Sequence, residues 1–248
     1  MDLIERRRRL TSQLFGTCIE LGPGHNPFPV DVPGITVRYV DRWEPETNSE
    51  LFPELGGDAV FPAPDIVANL DTDRLKAIDD NTEDFVIASH VLEHLANPIA
   101  MLSEIHRVLR PGGVLLILLP DRHLTFDRLR TPTDLAHLLV EYEADAREVD
   151  DAHIEEFIRA SAPLGTPFSN YLSDDLTERQ RQIKVHRDRS VHAHCWDQDE
   201  FVPVLRYCIG KLGQRWELVD ALLTEGGAMT ASSSGFCCKS QSQLSPPQ

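Results

Sequence analysis

The residues best placed to do chemistry stand at the ends of two apolar runs. The first run, through Cys18-Ile19, ends in Glu20-Leu21-Gly22-Pro23-Gly24-His25-Asn26, and the second, Ile35 to Val40, ends in Asp41, twenty-one residues after Glu20. A strand, a glycine turn and a second strand ending in an acid form the first half of a nucleotide-binding βαβ unit. The glycines let a ligand approach the backbone, and the second acid can hold both hydroxyls of a ribose. Two departures from the dinucleotide pattern G-x-G-x-x-G matter. Pro27 stands where the third glycine belongs, and Glu20 puts a carboxylate before the turn. A pyrophosphate seeks bare N–H groups at a helix N-terminus, and a carboxylate opposes it. A cationic adenosine ligand, bearing an ammonium and a sulfonium, is compatible with that acid.

Further candidates follow the run Asp84 to Ala88, in Ser89-His90-Val91-Leu92-Glu93-His94. At i, i+3 and i+4, His90, Glu93 and His94 are expected to share one helical face. Three such groups can hold a divalent ion, softer than magnesium because histidine leads, or they form a Glu-His pair hydrogen-bonded to the sheet edge. The second reading is preferred, and no metal is expected. Val191-His192-Ala193-His194-Cys195-Trp196 alternates as a short strand with both imidazoles on one face, at an acceptor site or merely at a polar strand edge. An imidazole titrating near neutrality can take the proton of a hydroxyl acceptor. The catalytic candidates are therefore His90, His94, His192 and His194, with His123 beside them. Asp121, Arg122 and Asp127 could hydrogen-bond a polyhydroxylated acceptor, and Arg122, Arg128 and Arg130 an anionic group.

Strands are expected at 17–21, 36–40, 65–70, 84–88 and 114–119. Pro98 to Leu109 carries Ile99, Leu102, Ile105, Val108 and Leu109 at helical period and meets a Pro-Gly-Gly stop. Repeated β-α units imply an α/β fold with a parallel sheet and helices on both faces. Between 122 and 190 the alternation breaks down, with helical patches at 133–146 and 152–160. Lying after the fifth strand, this stretch is an insertion or lid at the edge where ligands bind in open α/β sheets. A helix at 199–212 and strands at 216–219 and 233–238 close the domain, taken as 1–239. Residues 2–14 form a leading helix, and the Ser/Gln/Pro-rich 240–248 a disordered tail.

At Tyr39-Val40-Asp41-Arg42-Trp43, His90-Val91-Leu92-Glu93-His94 and Arg107-Val108-Leu109-Arg110-Pro111-Gly112-Gly113 the chain resembles the class I S-adenosylmethionine (SAM)-dependent methyltransferases of the type 11-like group. The resemblance covers 15–128, and 190–225 more weakly. Together with Gly24-His25-Asn26-Pro27-Phe28, these motifs are similar to a bacterial subgroup associated with glycan or cell-envelope biosynthesis. The resemblance implies a Rossmann-like, seven-stranded, mostly parallel sheet, SAM as cofactor, and direct SN2 transfer of a methyl group to a sugar hydroxyl or other small polar acceptor. It implies Glu20, Gly22, Gly24 and His25 at the methionine end, and Asp41 with Arg42 at the ribose. It implies Asn69, Leu70 and Asp71 along the adenine, and Ser89 with His90 over the sulfonium. Simpler roles stay open for two acids, since Glu20 could cap its turn and Asp71 a helix starting near Thr72. His90, Glu93 and His94 also look like the E-x-x-E-H cation site of ubiquinone-pathway O-methyltransferases, with histidine in place of the first glutamate. The other functional classes are a catalytically silent SAM or nucleotide binder and an NAD(P)-dependent oxidoreductase.

Composition narrows the partners. A chain of 248 residues with a formal charge of −16 does not suit binding to a phosphate backbone, where basic surface dominates affinity. Arg6 to Arg9 fits a solvated helix face. No apolar run approaches the ~20 residues of a membrane span, and Met1 to Leu10 lacks the apolar core of a signal peptide. The five cysteines are odd in number and lack metal-ligand spacing, Cys237-Cys238 included. Reduced thiols in the cytoplasm are expected, with Cys18 a core residue. The expected partner is a small-molecule or glycan acceptor.

Overall fold

Five apolar runs, each ending in a polar residue or a turn, pair side by side in the computed structural model, which describes residues 15–30, 32–165, 171–222 and 233–241. The expected leading helix with Arg6 to Arg9, and residues 242–248 of the expected tail, lie outside them, while Ser240, expected in that tail, ends the last strand. The elements are β1 (Thr17–Leu21), β2 (Thr36–Asp41), α1 (Pro45–Leu51), β3 (Ile66–Val67), β4 (Glu83–Ser89), α2 (Pro98–Val108) and β5 (Leu109–Pro120). After these come α3 (Leu135–Glu143), α4 (Asp151–Ser161), α5 (Leu176–Asp188), α6 (Gln198–Gly210), β6 (Trp216–Leu222) and β7 (Ser233–Ser240). The seven strands lie in the order β3-β2-β1-β4-β5-β7-β6, with β7 antiparallel to both its neighbours. This is the expected Rossmann-like, mostly parallel sheet. Strand order reverses at β1, so its carboxyl end faces the crevice between β2 and β4, where open α/β sheets bind ligands.

Local chemistry sets the element ends. Asn97 caps α2 by accepting the N–H of Ala100 at 2.9 Å, with Pro98 at the first helical position. The apolar face of α2, with Phe201, Val204 and Cys208 of α6, packs on Ile19, Leu21, Val86, Ala88, Leu115 and Ile117. On the other face of the sheet Cys18, Phe85, Ile87, Val114, Leu116 and Leu118 form a second core.

Phe28, Val30 and Ile35 cover that second core, and they belong to the connection from β1 to β2. A nucleotide-binding βαβ unit has a helix there. The described residues of this connection contain none. Pro23, Pro27, Pro29 and Pro33 account for it, since each lacks a backbone donor and clashes with a helical turn before it. The expected third strand is likewise cut to Ile66–Val67, which pairs only with Val40 and Asp41.

The insertion contributes α3, α4 and α5. Ile154, Phe157, Ile158, Ile183 and Val191 form a small core of their own. The expected strand at 191–196 is irregular, because its carbonyls and amides are taken up one at a time by separate elements. Arg122 N donates to Trp196 O, Thr133 N to Cys195 O and His194 N to Glu93 O, each at 3.0 Å. Among the described residues, no helix is long and apolar enough to cross a membrane.

Candidate active site

Gly22 and Gly24 close β1 with left-handed backbone, at φ 53° and 55°, a conformation costing a residue with a side chain about 1–2 kcal/mol. No atom lies within 4 Å of where a Cβ on Gly24 would stand, so the turn presents bare backbone to open space. Gly22 N–H donates to Val40 O at 2.8 Å, which fixes the turn beside Asp41. Burial pushes the Asp41 carboxyl up in pKa, against the backbone N–H groups of Arg42, Trp43 and Gly24 that pull it down.

A cavity of about 490 Å³ opens above these residues. Gly22, Gly24 and His25 line it from the turn, Asp41 and Arg42 from the end of β2. Asn69, Leu70 and Asp71 line it from the loop after β3, Ser89 and His90 from the end of β4. Of the expected cofactor residues only Glu20 is elsewhere. Its side chain is 1 % exposed and its Oε1 accepts the N–H of Phe28 at 2.8 Å. The acid braces the turn from beneath. Asp71 caps no helix near Thr72. Its Oδ1 accepts the Ala96 N–H at 2.8 Å, and burial pushes its pKa up to about 6.

The sequence reading missed two walls. Asn48, Phe52 and Phe61 come from the connection between β2 and β3, and Asp188, Arg189 and Ser190 from the end of the insertion. Arg189 pairs with Glu54 and lies 4.8 Å from the Phe52 ring centroid, so the two walls touch. Neither segment has a periodic apolar pattern; a lone Phe or Arg in a polar loop gave no signal.

The histidines are arranged differently from expectation. His90 is left-handed at φ 56°, a strained position of the kind that gathers at functional sites. A 3-10 turn at Leu92–His94 follows it instead of an α-helix. His90, Glu93 and His94 therefore do not share a helical face. His90 Nδ1 lies 3.4 Å from Glu93 Oε1, while His94 turns away to donate from Nδ1 to Ser190 O at 2.6 Å. Glu93, His94 and His192 converge instead, with ligating atoms within 4.8 Å of one another. His192 Nδ1 bonds Asp127 Oδ2 at 2.7 Å. Burial pushes His94 down to about 4, helped by His192. Burial alone would raise the pKa of Glu93, but His90, His94 and His192 outweigh it and hold the carboxyl low.

His192 and His194 were expected on one strand face. With no strand there, they diverge. His192 packs edge-on to His94, ring centroids 4.7 Å apart, whereas His194 stacks on Trp196 at 5.6 Å and does not line the cavity. His123 is exposed beside Asp197 at 3.3 Å, and Asp121 caps its own turn by accepting the His123 N–H at 2.9 Å.

The expected anion-binding arginines are committed elsewhere. Arg122 holds Glu200 through two bonds of 2.7 Å. Arg130 is buried, with Nη1 bonding Asp127 Oδ1 at 2.9 Å and His192 O at 2.8 Å. Its Nη2 bonds Glu156 at 2.6 Å and Ala193 O at 2.7 Å. Arg128 is exposed and away from the cavity. The arginines on the cavity wall are Arg42 and Arg189, with Arg147 and Arg187 next to it. The latter two line a second hollow of about 360 Å³ that shares Arg42, Asn69, Asp71, His94 and Ser190 with the main cavity.

Residues 33–117 match a family model described as a methyltransferase domain. That segment is similar to a methyltransferase domain. The protein is an enzyme, and its cofactor is SAM. The matched segment covers about a third of the chain and includes Asp41, Asn69–Asp71 and His90–His94, while the glycine turn precedes it. No curated protein matches the sequence. Among solved structures, a Rhodobacter sphaeroides protein named as a Zn-dependent alcohol dehydrogenase is similar in fold. It has a TM-score of 0.52 and 12 % identity over 91 % of this chain and 84 % of its own. A SAM-dependent methyltransferase from Methanosarcina mazei gives 0.48 and 14 % over 98 % of this chain and 99 % of its own. One from Thermotoga maritima gives 0.43 and 17 % over 96 % and 92 %. Such likenesses concern the fold; the choice between transfer chemistry and dinucleotide binding rests on the domain match and the site. The glycine turn has no helix N-terminus behind it among the described residues, so the usual anchor of a pyrophosphate is missing.

Proposed function

We propose that this methyltransferase transfers the methyl group of SAM directly to a small polar acceptor, with a sugar hydroxyl as the acceptor class. The observation carrying the cofactor half is the convergence of the glycine turn, Asp41, Asn69–Asp71 and Ser89–His90 on one cavity at the carboxyl edge of the sheet. Bound there, SAM supplies an electrophilic methyl on its sulfonium. Gly22 and Gly24 admit its amino-acid end to the backbone, and Asp41 accepts from its ribose hydroxyls. Asn69, Leu70 and Asp71 border its adenine.

His90 and His94 line the cavity; His90 is the proposed acceptor of the hydroxyl proton and His94, held low by burial, a positioning group, with in-line placement as the main source of rate. His192 acts through His94 and Glu93. His194, outside the cavity, leaves the catalytic set. The sugar class follows from sequence resemblance to a subgroup associated with glycan biosynthesis and accords with the histidines, acids and arginines set in the cavity wall. A cytoplasmic location is proposed from the buried free thiols of Cys18, Cys195 and Cys208.

Calorimetric titration with SAM, S-adenosylhomocysteine and NAD⁺, on wild type and Asp41→Ala, tests the cofactor site. Micromolar adenosyl binding that weakens in the variant, with none for NAD⁺, is expected. Preference for NAD⁺ would sink the reading. Turnover on a panel of glycans, lost in His90→Ala or His94→Ala variants that still bind SAM, separates an enzyme on sugars from a silent binder.

A further inference from the structure

Outside the cavity, four side chains from three separate stretches of chain meet. His137 and Glu141 stand one turn apart on α3, His153 is in the first turn of α4, and His194 comes from the irregular 191–196 segment. None of them lines the cavity or the neighbouring hollow. His137 Nε2 lies 2.9 Å from His153 Nε2. Glu141 Oε1 is 3.2 Å from each of those nitrogens, and Glu141 Oε2 is 3.3 Å from His194 Nε2. All four ligating groups lie within 4.8 Å of one another.

We propose that His137, Glu141, His153 and His194 bind a zinc ion that fastens the insertion to the segment returning to the sheet. Zinc–nitrogen bonds of 2.0–2.1 Å in a tetrahedron put neighbouring ligand atoms about 3.3–3.4 Å apart, close to the separations here. Hydrogen bonding accounts for only part of the cluster. Among the described residues, neither ring nitrogen of His194 nor Glu141 Oε2 meets full hydrogen-bond geometry, and the acceptors that approach that ring are the Leu95 carbonyl and Glu141. His194 is fully buried, where unpaired polar groups are rare and call for an explanation. An ion at the centre satisfies them together.

The outer contacts agree. Asp150 Oδ1 accepts from His153 Nδ1 at 2.7 Å, which fixes the tautomer and turns the Nε2 lone pair toward the cluster. A carboxylate behind a ligating histidine is the usual support of such a ligand. Asp150 is itself held as the cap of α4, accepting the His153 N–H at 3.0 Å. Three imidazoles and one carboxylate suit zinc better than magnesium or calcium, which prefer oxygen. Four protein ligands leave no open position, so the ion's role is structural. By pinning His194 it also fixes the path of His192, two residues away, toward Glu93 and His94.

The test is metal analysis of the full-length protein, purified without a histidine tag. About one zinc per chain is expected by mass spectrometry, falling below roughly a tenth in Glu141→Gln and His153→Ala. Because removal of wholly buried His194 risks misfolding, the decisive variant is His137→Ala, whose side chain is 46 % exposed. Chelated wild type should take up cobalt(II) with the visible absorption of a tetrahedral site and regain thermal stability, and His137→Ala should do neither. His94→Ala should keep its zinc. Apo protein that binds neither zinc nor cobalt(II) at equimolar concentration overturns the proposal, and so does metal content that follows His94 instead of His137.

Discussion

Glu20 Oε1 accepts the Phe28 N–H at 2.8 Å, tying the far limb of the glycine turn back to the strand that precedes it. Asp41, an equally obvious acid in the sequence, lies on the cavity wall instead. The two should therefore fail in different ways. Glu20→Ala leaves a buried N–H without its charged acceptor and should cost about 1–3 kcal/mol of stability, with SAM affinity falling only as the turn loosens. Asp41→Ala also frees the Arg42 N–H that its Oδ1 accepts at 2.6 Å, so some loss of midpoint is expected there too, but SAM should weaken about 10- to 100-fold, the value of hydrogen bonds to a charged group. Urea unfolding beside calorimetry checks both. An unaltered midpoint in Glu20→Ala together with lost SAM binding would reverse the assignment.

Asp71 gives the protein a pH signature. Its pKa is pushed up to about 6, first by burial, against the Ala96 N–H and the charges of Arg42 and Arg74. A carboxyl whose folded pKa exceeds its unfolded value near 3.9 contributes stability that is present below about pH 4 and lost as pH rises through 6. Asp71→Asn keeps an oxygen for the Ala96 N–H and removes the charge. Ligand-free Asp71→Asn should melt above wild type at pH 7.5, by at most about 3 kcal/mol at 1.36 kcal/mol per unit, and match it at pH 4. A difference that does not vary with pH would refute this origin.

The elements that hold the cofactor site were legible because their signals are local. Apolar runs ending in Asp41 and Ser89 give β2 and β4, and parallel register then carries Gly22, Asp41 and His90 to one edge. The connection after β1 departs from the βαβ pattern for a reason that is also local, its four prolines. The histidines were beyond sequence reasoning for another reason. Their partners lie far off in sequence, 53 residues for Glu141 and His194 and 98 for His94 and His192, and nothing in Val191 to Trp196 shows that its backbone will be divided among Arg122, Thr133 and Glu93. Arg130 looked like a surface anion binder because burial of an arginine depends on contacts made far away.

Arg130 now stands as the clamp on that segment. It binds two carboxylates and the carbonyls of His192 and Ala193. Arg130→Met would leave buried Asp127 without its guanidinium and should destabilise the protein by about 3–5 kcal/mol. Arg130→Lys retains charge but cannot span four acceptors, and should fall between Met and wild type. Guanidinium unfolding ranks the three, and a Lys variant no worse than wild type would remove Arg130 from this role.

The Arg189–Glu54 pair closes the cavity from the opposite side, joining the end of the insertion to the connection after β2. Both residues line the cavity, so the pair is placed to slow the departure of a ligand held there. Arg189→Ala should accelerate SAM dissociation about two- to fivefold, the scale of a partly exposed ion pair worth up to about 1 kcal/mol. Glu54 supplies the control. Burial would raise its pKa, but Arg189 outweighs that and holds it below the usual range. A depressed carboxyl keeps its partner above the ordinary value near 4.3 and releases it as pH falls through the lower folded value. Wild-type dissociation should therefore be slow from pH 8 down to about 5 and approach the Arg189→Ala rate only below about 4. Stopped-flow displacement of a fluorescent adenosyl ligand across that range measures it. Equal rates for the two proteins at pH 7 would show that the pair does not gate the cavity.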